Sequence, residues 1–251
     1  MKVAEAVEKR FSARAYLKQA PAPDALRRLL ERALRAPSGG NLQPWRIHAL
    51  TGEPLKALLV DIAKSAFSGA RETPEYRVYP DNLWEPYRTR RFQNGEELYA
   101  ALGIPRDNKT ARWAQFGRNF ELFGAPVGLF FTLDSRVGPP QWSDMGMLMQ
   151  TVMLLAVEEG LDTCAQEAWS QFPQTLRRHL ELPETEIVFS GMALGYADPA
   201  AAVNQWRSTR APFEEIVTMK GWDPLPRKGG GGNPGRTCVP SLRDRPVHDR
   251  E

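Results

Sequence analysis

The chain is predicted to be an α+β domain in which helices flank a sheet. Helical segments outnumber strand-like ones, and helices of uneven length separate the strands. An apolar share of 42% over 251 residues supplies one full hydrophobic core.

Residues 3–9 read as a short helix that feeds a strand-like run at residues 10–14. After Pro21 and Pro23, residues 24–35 form an amphipathic helix with Leu26, Leu29, Leu30, Ala33 and Leu34 on one face. Residues 45–50 alternate as a strand does, and residues 54–67 return to helix. Residues 69–95 carry Pro74, Pro80 and Pro86 among Tyr76, Tyr79, Trp84, Tyr87 and Phe92, so they are expected to be irregular, either a lid or a packed excursion. Two helices are expected at residues 96–102 and 109–120, and a buried strand at residues 125–133. Residues 141–159 are apolar on most faces and predict a central buried helix, with Asp144 and Gln150 making a helix start and a buried polar contact. A shorter helix at residues 173–180 and a core strand at residues 187–194 complete the domain, 1–222. The Gly- and Pro-rich stretch from residue 223 to 251 cannot bury enough apolar surface to offset its ordering entropy, and is expected to be a disordered tail.

Composition narrows the function. Of the net charge of +3, the tail holds six Lys/Arg against four Asp/Glu, which leaves the body nearly neutral and argues against a nucleic-acid surface. No apolar run approaches a membrane span, and the acidic N-terminal stretch does not read as a signal peptide, so a cytoplasmic location is the default expectation. Cys164 and Cys238 make neither a metal pattern nor a disulfide framework, and Cys164 reads as a small core residue. His48, His179 and His248 are scattered, so no catalytic triad or metal site is expected.

Three stretches carry chemistry. In Arg10-Phe-Ser-Ala-Arg14 an extended backbone turns Arg10, Ser12 and Arg14 to one side, a clamp for phosphate or carboxylate. In residues 36–45, Pro37 and the Gly39–Gly40 pair break the helix and permit close backbone approach, while Ser38, Asn41 and Gln43 offer donors and acceptors and Trp45 a flat wall. A planar ligand with hydrogen-bonding edges suits that bend, although Trp45 itself reads more readily as core. Arg207 and Arg210 form a further arginine pair in a turn-rich setting.

Together with Asp144-Met-Gly146 at the opening of a long helix, Gly160–Glu167 as a flavin-contacting turn and Gly191–Pro199 as a last core strand and exit, these stretches resemble, in family order, the nitroreductase family of FMN-dependent oxidoreductases. The resemblance implies a nitroreductase-like mixed central sheet and an intertwined homodimer with flavin at the subunit interface. It implies that residues 216–219 cross to the partner. It places Arg10, Ser12, Arg207 and Arg210 at the FMN phosphate and Arg14 at the N1 side of the flavin, where a cation favours the reduced anion. A phosphate or structural role for Arg14 stays open. Pro37, Ser38, Gly39, Asn41 and Gln43 would line the ring and ribityl region, partly from the partner. Ala165, Gln166 and Glu167 would present a backbone N–H to flavin N5, their side chains being secondary. No side-chain base is required, and NAD(P)H would bind transiently because no dinucleotide fingerprint follows a strand. Trp84, Tyr87 and Arg88, with Arg91, either form an aromatic and cationic lip for a small nitroaromatic or quinone-type acceptor or pack the helices. Specialised flavin chemistry on the same fold, or flavin binding with little turnover, are the rival expectations.

Overall fold

The computed structural model describes residues 1–67 and 72–222, so the tail expected from residue 223 lies outside the described residues. It comprises one compact unit from Met1 to Thr209 and a second that starts at Arg210.

The first unit holds a four-stranded sheet of β1 (Trp45–Thr51), β2 (Val127–Asp134), β3 (Asp162–Gln166) and β4 (Glu186–Gly195). The strand order is β1-β2-β4-β3, with every neighbouring pair antiparallel. The expected mixed character enters through Ser12, which makes a parallel bridge to Thr163 on the outer side of β3. β2 is buried from Val127 to Leu133 because both faces are covered, and its one polar side chain there, Thr132, donates to Glu186 Oε2 at 2.7 Å. Phe130 points into a core with Leu58, Ile62, Trp169 and Leu176, while Leu129 and Phe131 point into the opposite core with Leu29, Met145, Leu148 and Val152.

Helices α1 (Val3–Lys9), α2 (Pro23–Ala33), α3 (Gly52–Phe67), α6 (Pro139–Glu158) and α7 (Pro173–Leu180) follow the expectation within a few residues. Helix α6 buries Met145, Leu148, Met149, Val152 and Ala156 against the sheet, as its apolar sequence requires.

Three expectations are corrected. Helix α4 (Tyr87–Ala101) starts nine residues earlier than the predicted helix at 96–102. It buries none of its residues, so it lacks the apolar periodicity by which such a helix is recognised. The helix predicted over 109–120 divides: α5 (Lys109–Gly117) ends, and residues 118–124 form 3-10 turns in which Leu122 and Phe123 take φ of 49° and 55°. Residues 162–166, read as part of a turn, are an edge strand, because pairing with β4 satisfies their backbone.

The first unit ends beyond α8 (Ala202–Gln205). In the second, α9 (Phe213–Ile216) is a single turn and Val217 is extended, so residues 216–219 are not a strand within this chain. Among the described residues no helix is long and apolar enough to cross a membrane.

Candidate functional site

The N-terminal segment lies along the outer edge of β3. Its register is set by the Ala13 N–H, which donates to the Thr163 carbonyl at 3.0 Å, and by the Leu17 N–H, which donates to the Tyr196 carbonyl at 2.9 Å. Ala13 and Tyr16 are buried, whereas Arg10, Phe11, Ser12, Arg14 and Ala15 are half-buried. Asn204 ties this segment to the chain's later arginine. Its Oδ1 accepts the Arg14 backbone N–H at 2.9 Å, and its Nδ2 donates to the carbonyls of Ala15 at 2.8 Å and Asp198 at 2.9 Å. Three residues on, Arg207 Nη1 donates to the Asn204 carbonyl at 2.6 Å and its guanidinium lies 3.8 Å from the centre of the Phe11 ring. Arg14 Nη1 donates to the Ser12 carbonyl at 3.2 Å, and its guanidinium stands 5.9 Å from the Trp206 ring.

Arg10, Ser12, Arg14 and Arg207 therefore converge at one place beside β3. Arg14 and Arg207 make no ion pair with a carboxylate among the described residues. Asp162, which feels the charge of Arg207, accepts the Ala197 N–H at 3.1 Å; burial pushes its pKa up, against smaller opposing pulls from that bond and from Arg207. Burial also pushes the Cys164 thiol up, in spite of Arg14, Ser12 and Arg10 close by, which fits a buried core cysteine and not a nucleophile. An excess of guanidinium charge, backed by aromatic rings and fixed by backbone bonds, is a cradle for an anion such as a phosphate.

Beyond Thr163 the same edge continues to Ala165. In an antiparallel strand, residues two apart turn their N–H and C=O to the same side. The Thr163 carbonyl is used by Ala13, so the backbone of exposed Ala165 also faces outward, beside the arginine cradle. The Gln166 side chain turns inward, where its Nε2 donates to the Asn119 carbonyl at 2.7 Å and to Asn119 Oδ1 at 3.2 Å. Glu167 is exposed and opens the 3-10 turn Glu167–Gln171.

The bend at residues 36–45 is built as a 3-10 turn, Gly39–Asn41, in which Gly40, Asn41 and Gln43 have φ of 57°, 56° and 49°. Glycine and asparagine tolerate this left-handed region, and Gln43 is held there by local bonds. Its N–H donates to Ser38 Oγ and its Nε2 to the Asn41 carbonyl, each at 3.0 Å. The turn is fastened to α6 by the Gly39 N–H, which donates to Asp144 Oδ1 at 3.2 Å; Asp144 is buried and its Oδ2 has no partner. Pro37, Gly39, Asn41 and Gln43 are exposed, and Trp45 is a core residue packed with Leu29 and Leu133.

The two halves of the expected site do not meet within this chain. The bend leads into β1 at one edge of the sheet, while the cradle lies beyond β3 at the other, four strand spacings or about 19 Å away. Along the strands, Ser12 aligns through Thr163, Leu194 and Val127 with Thr51, six residues from Trp45, which adds roughly 20 Å. The diagonal is about 27 Å, a separation no sequence pattern encodes.

The residues expected at the lip lie before and within the first turns of α4. Trp84 and Tyr87 are exposed and meet edge to face at 5.6 Å. Arg88 is engaged by Glu85 at 2.7 Å, and Arg91 stacks 4.2 Å from the Tyr79 ring. The preceding residues are a packed excursion. Glu72 accepts the N–H groups of Gln174 at 2.6 Å and Thr175 at 3.1 Å at the start of α7, and the Tyr76 hydroxyl donates to the Phe189 carbonyl. Glu97 in α4 lies 3.5 Å from Thr209 Oγ1, which brings α4 beside the Asn204–Thr209 segment. Arg210 opens the second unit and is exposed. His48 and His179 serve local bonds to Thr132 and Asp61, and no group able to hold a metal occurs among the described residues.

The residue that sequence reading missed is Asn204. Its partners Arg14 and Ala15 are 190 and 189 positions away, so no local spacing reveals it.

An α+β protein with an anion cradle on the open edge of its sheet is the class these features define. The chain belongs to the nitroreductase family, whose profile matches residues 7–196. It is 39% identical to a chloronitrobenzene nitroreductase of Comamonas testosteroni over 85% of this chain and 94% of that protein. It is 37% identical to a 4-nitrobenzoate reductase of Pseudomonas putida over 86% and 95%. The crystal structure of an FMN- and NADPH-dependent nitroreductase NfnB from Sphigopyxis sp. strain HMH superposes with a TM-score of 0.86 at 45% identity, covering 88% of this chain and 100% of that one.

Proposed function

We propose that this chain is an FMN-dependent oxidoreductase that takes reducing equivalents from NAD(P)H and passes them to nitroaromatic or quinone-type acceptors by ping-pong turnover. The observation that carries this reading is the convergence of Arg10, Ser12, Arg14 and Arg207 beside the outward-facing backbone of Ala165. The donor set fits FMN: guanidinium groups and a hydroxyl suit the phosphate, and a free strand edge suits a polar ring edge. When bound, FMN supplies two-electron chemistry by accepting and donating hydride at N5.

The chain's own residues bind and position. Arg10, Ser12 and Arg207 hold the phosphate, and Asn204 keeps Arg14 and Arg207 in register. Arg14 offsets negative charge that develops on the reduced ring. The Ala165–Glu167 backbone orients the reactive edge. Trp84, Tyr87 and Arg88 form the entrance through which NAD(P)H arrives and NAD(P)+ leaves before an acceptor binds. For a nitro group, one cycle consumes one NAD(P)H and one proton and yields a nitroso group, NAD(P)+ and water.

A homodimer completes the site. The bend from Pro37 to Gln43 stands about 27 Å from its own cradle by strand geometry, so a second copy brings it to the flavin. The apolar side chains of Phe213, Ile216, Met219 and Trp222 are exposed in the single chain and supply a segment that crosses to the partner.

The test is the visible spectrum of the purified protein, followed by anaerobic addition of NADPH and NADH. A flavin spectrum that bleaches supports the reading; a protein that takes up no FMN overturns it. Specialised flavin chemistry or a sensing role would instead show a flavin that resists bleaching.

A further inference from the structure

A cavity of about 660 Å³ lies between residues 81–83 and one face of α4. Arg88, Arg91, Phe92, Gly95 and Glu96 line it, the spacing of one helical face. We propose that this cavity receives the 2′-phosphoadenosine end of NADPH, with Arg91 as the residue that selects NADPH over NADH. The inference rests on the proposed function, since it assigns a place to that reaction's reductant.

Charge accounting singles out Arg91. The acids on the cavity wall are already matched: Asp81 by Arg77, and Glu96 by Arg112 through bonds of 2.5 and 3.1 Å. Arg88 is matched by Glu85 at 2.7 Å. Arg91 makes no ion pair among the described residues, and its guanidinium is held 4.2 Å from the Tyr79 ring. A second guanidinium, that of Arg106, lies 5.1 Å from the Phe92 ring. The cavity thus combines a fixed cation with the aromatic wall of Phe92, the chemistry of a planar base bearing a phosphate.

Size and position favour the dinucleotide over the acceptor. A cavity of this volume suits a ligand much larger than one aromatic ring. In ping-pong turnover nicotinamide and acceptor share one position, so the remainder of the dinucleotide needs adjoining surface. Arg91 sits one helical turn, about 6 Å, beyond Tyr87 of the entrance, and Glu97 on the same helix reaches Thr209 near the cradle. Gly95 keeps the cavity open: a Cβ there would meet nothing within 4 Å.

The experiment uses the full-length FMN-loaded protein. Adenosine 2′,5′-bisphosphate and adenosine 5′-monophosphate are titrated calorimetrically, and kcat/KM is measured for NADPH and NADH. The bisphosphate is expected to bind at least about tenfold more tightly, the worth of one charge-assisted contact. Arg91→Ala should abolish that preference and lower the NADPH-to-NADH ratio of kcat/KM by a similar factor, while Arg91→Lys keeps part of it. Gly95→Met fills the cavity with a better helix former, so it should fold and weaken both nucleotides. An unchanged ratio in Arg91→Ala overturns the proposal. So does a change confined to 4-nitrobenzoate relative to nitrobenzene, which would assign Arg91 to an acceptor carboxylate. A protein that oxidises neither nicotinamide fails the proposed function, whereas the bisphosphate titration still reports on the cavity.

Discussion

Replacing Gly191 by alanine should destabilise the protein and disturb the cofactor edge together. Gly191 pairs with Gln166 at the end of β3, and the Trp169 indole lies directly over it. A Cβ at this position would sit 2.3 Å from Trp169 Cδ1, 2.7 Å from Cγ and 2.9 Å from Nε1. Comfortable carbon contacts begin near about 3.5 Å, so the indole or the strand must move by roughly 1 Å. The indole has little freedom: Trp169 is completely buried, and Phe130 and Phe120 meet it edge to face at 5.0 and 5.9 Å. Overpacking a rigid site of this kind costs about 3 kcal/mol, the upper part of the usual range. Because Trp169 lies in the Glu167–Gln171 turn, the displacement should reach the Ala165–Glu167 backbone and weaken FMN binding as well. Urea unfolding of the FMN-free protein, followed by near-UV circular dichroism, measures the first effect; fluorescence titration with FMN measures the second. A stability change under about 0.5 kcal/mol, the scatter of an ordinary surface substitution, would show that the indole yields freely and would refute the packing argument.

Further outcomes follow from the same geometry. Arg207→Ala should weaken FMN binding by about 1.5–3 kcal/mol, the range for a bond to a charged group, and unchanged FMN retention after dialysis would remove Arg207 from the phosphate site. Asp144→Ala removes the acceptor of the Gly39 N–H, so FMN affinity should fall while the far-UV spectrum stays native; equal affinity would mean the bend holds itself. Glu72→Gln should cost roughly 1 kcal/mol in urea unfolding, because it weakens a charged cap on the α7 N-terminus. Burial holds the pKa of His48 below its ordinary value of 6.5. Its contribution is therefore present above pH 6.5 and lost as pH falls through the lower folded value. A stability profile that His48→Gln leaves as steep as before on the acid side would exclude this source.

Much of the fold was legible because the signals are local. The amphipathic face of α2, the largely apolar run of β2 and the broadly apolar α6 each report a burial environment through composition alone. Where burial does not mark an element, reading failed: α4 buries nothing, and its early start was invisible. The strand β3 was taken for a turn because Asp-Thr-Cys-Ala-Gln is short and its pairing partner lies beyond α7.

The candidate site divides in the same way. The sequence by itself determined that residues 10–14 are extended and that the helix breaks at the bend 36–45, because both follow from geometry within a few residues. Only the tertiary structure decided that Asn204 joins Arg14 to Arg207, that the Gln166 side chain is spent on Asn119, and that bend and cradle stand at opposite edges of the sheet. Those outcomes depend on strand order and long-range pairing, which bring together residues from 47 to 190 positions apart and leave no periodic mark along the chain.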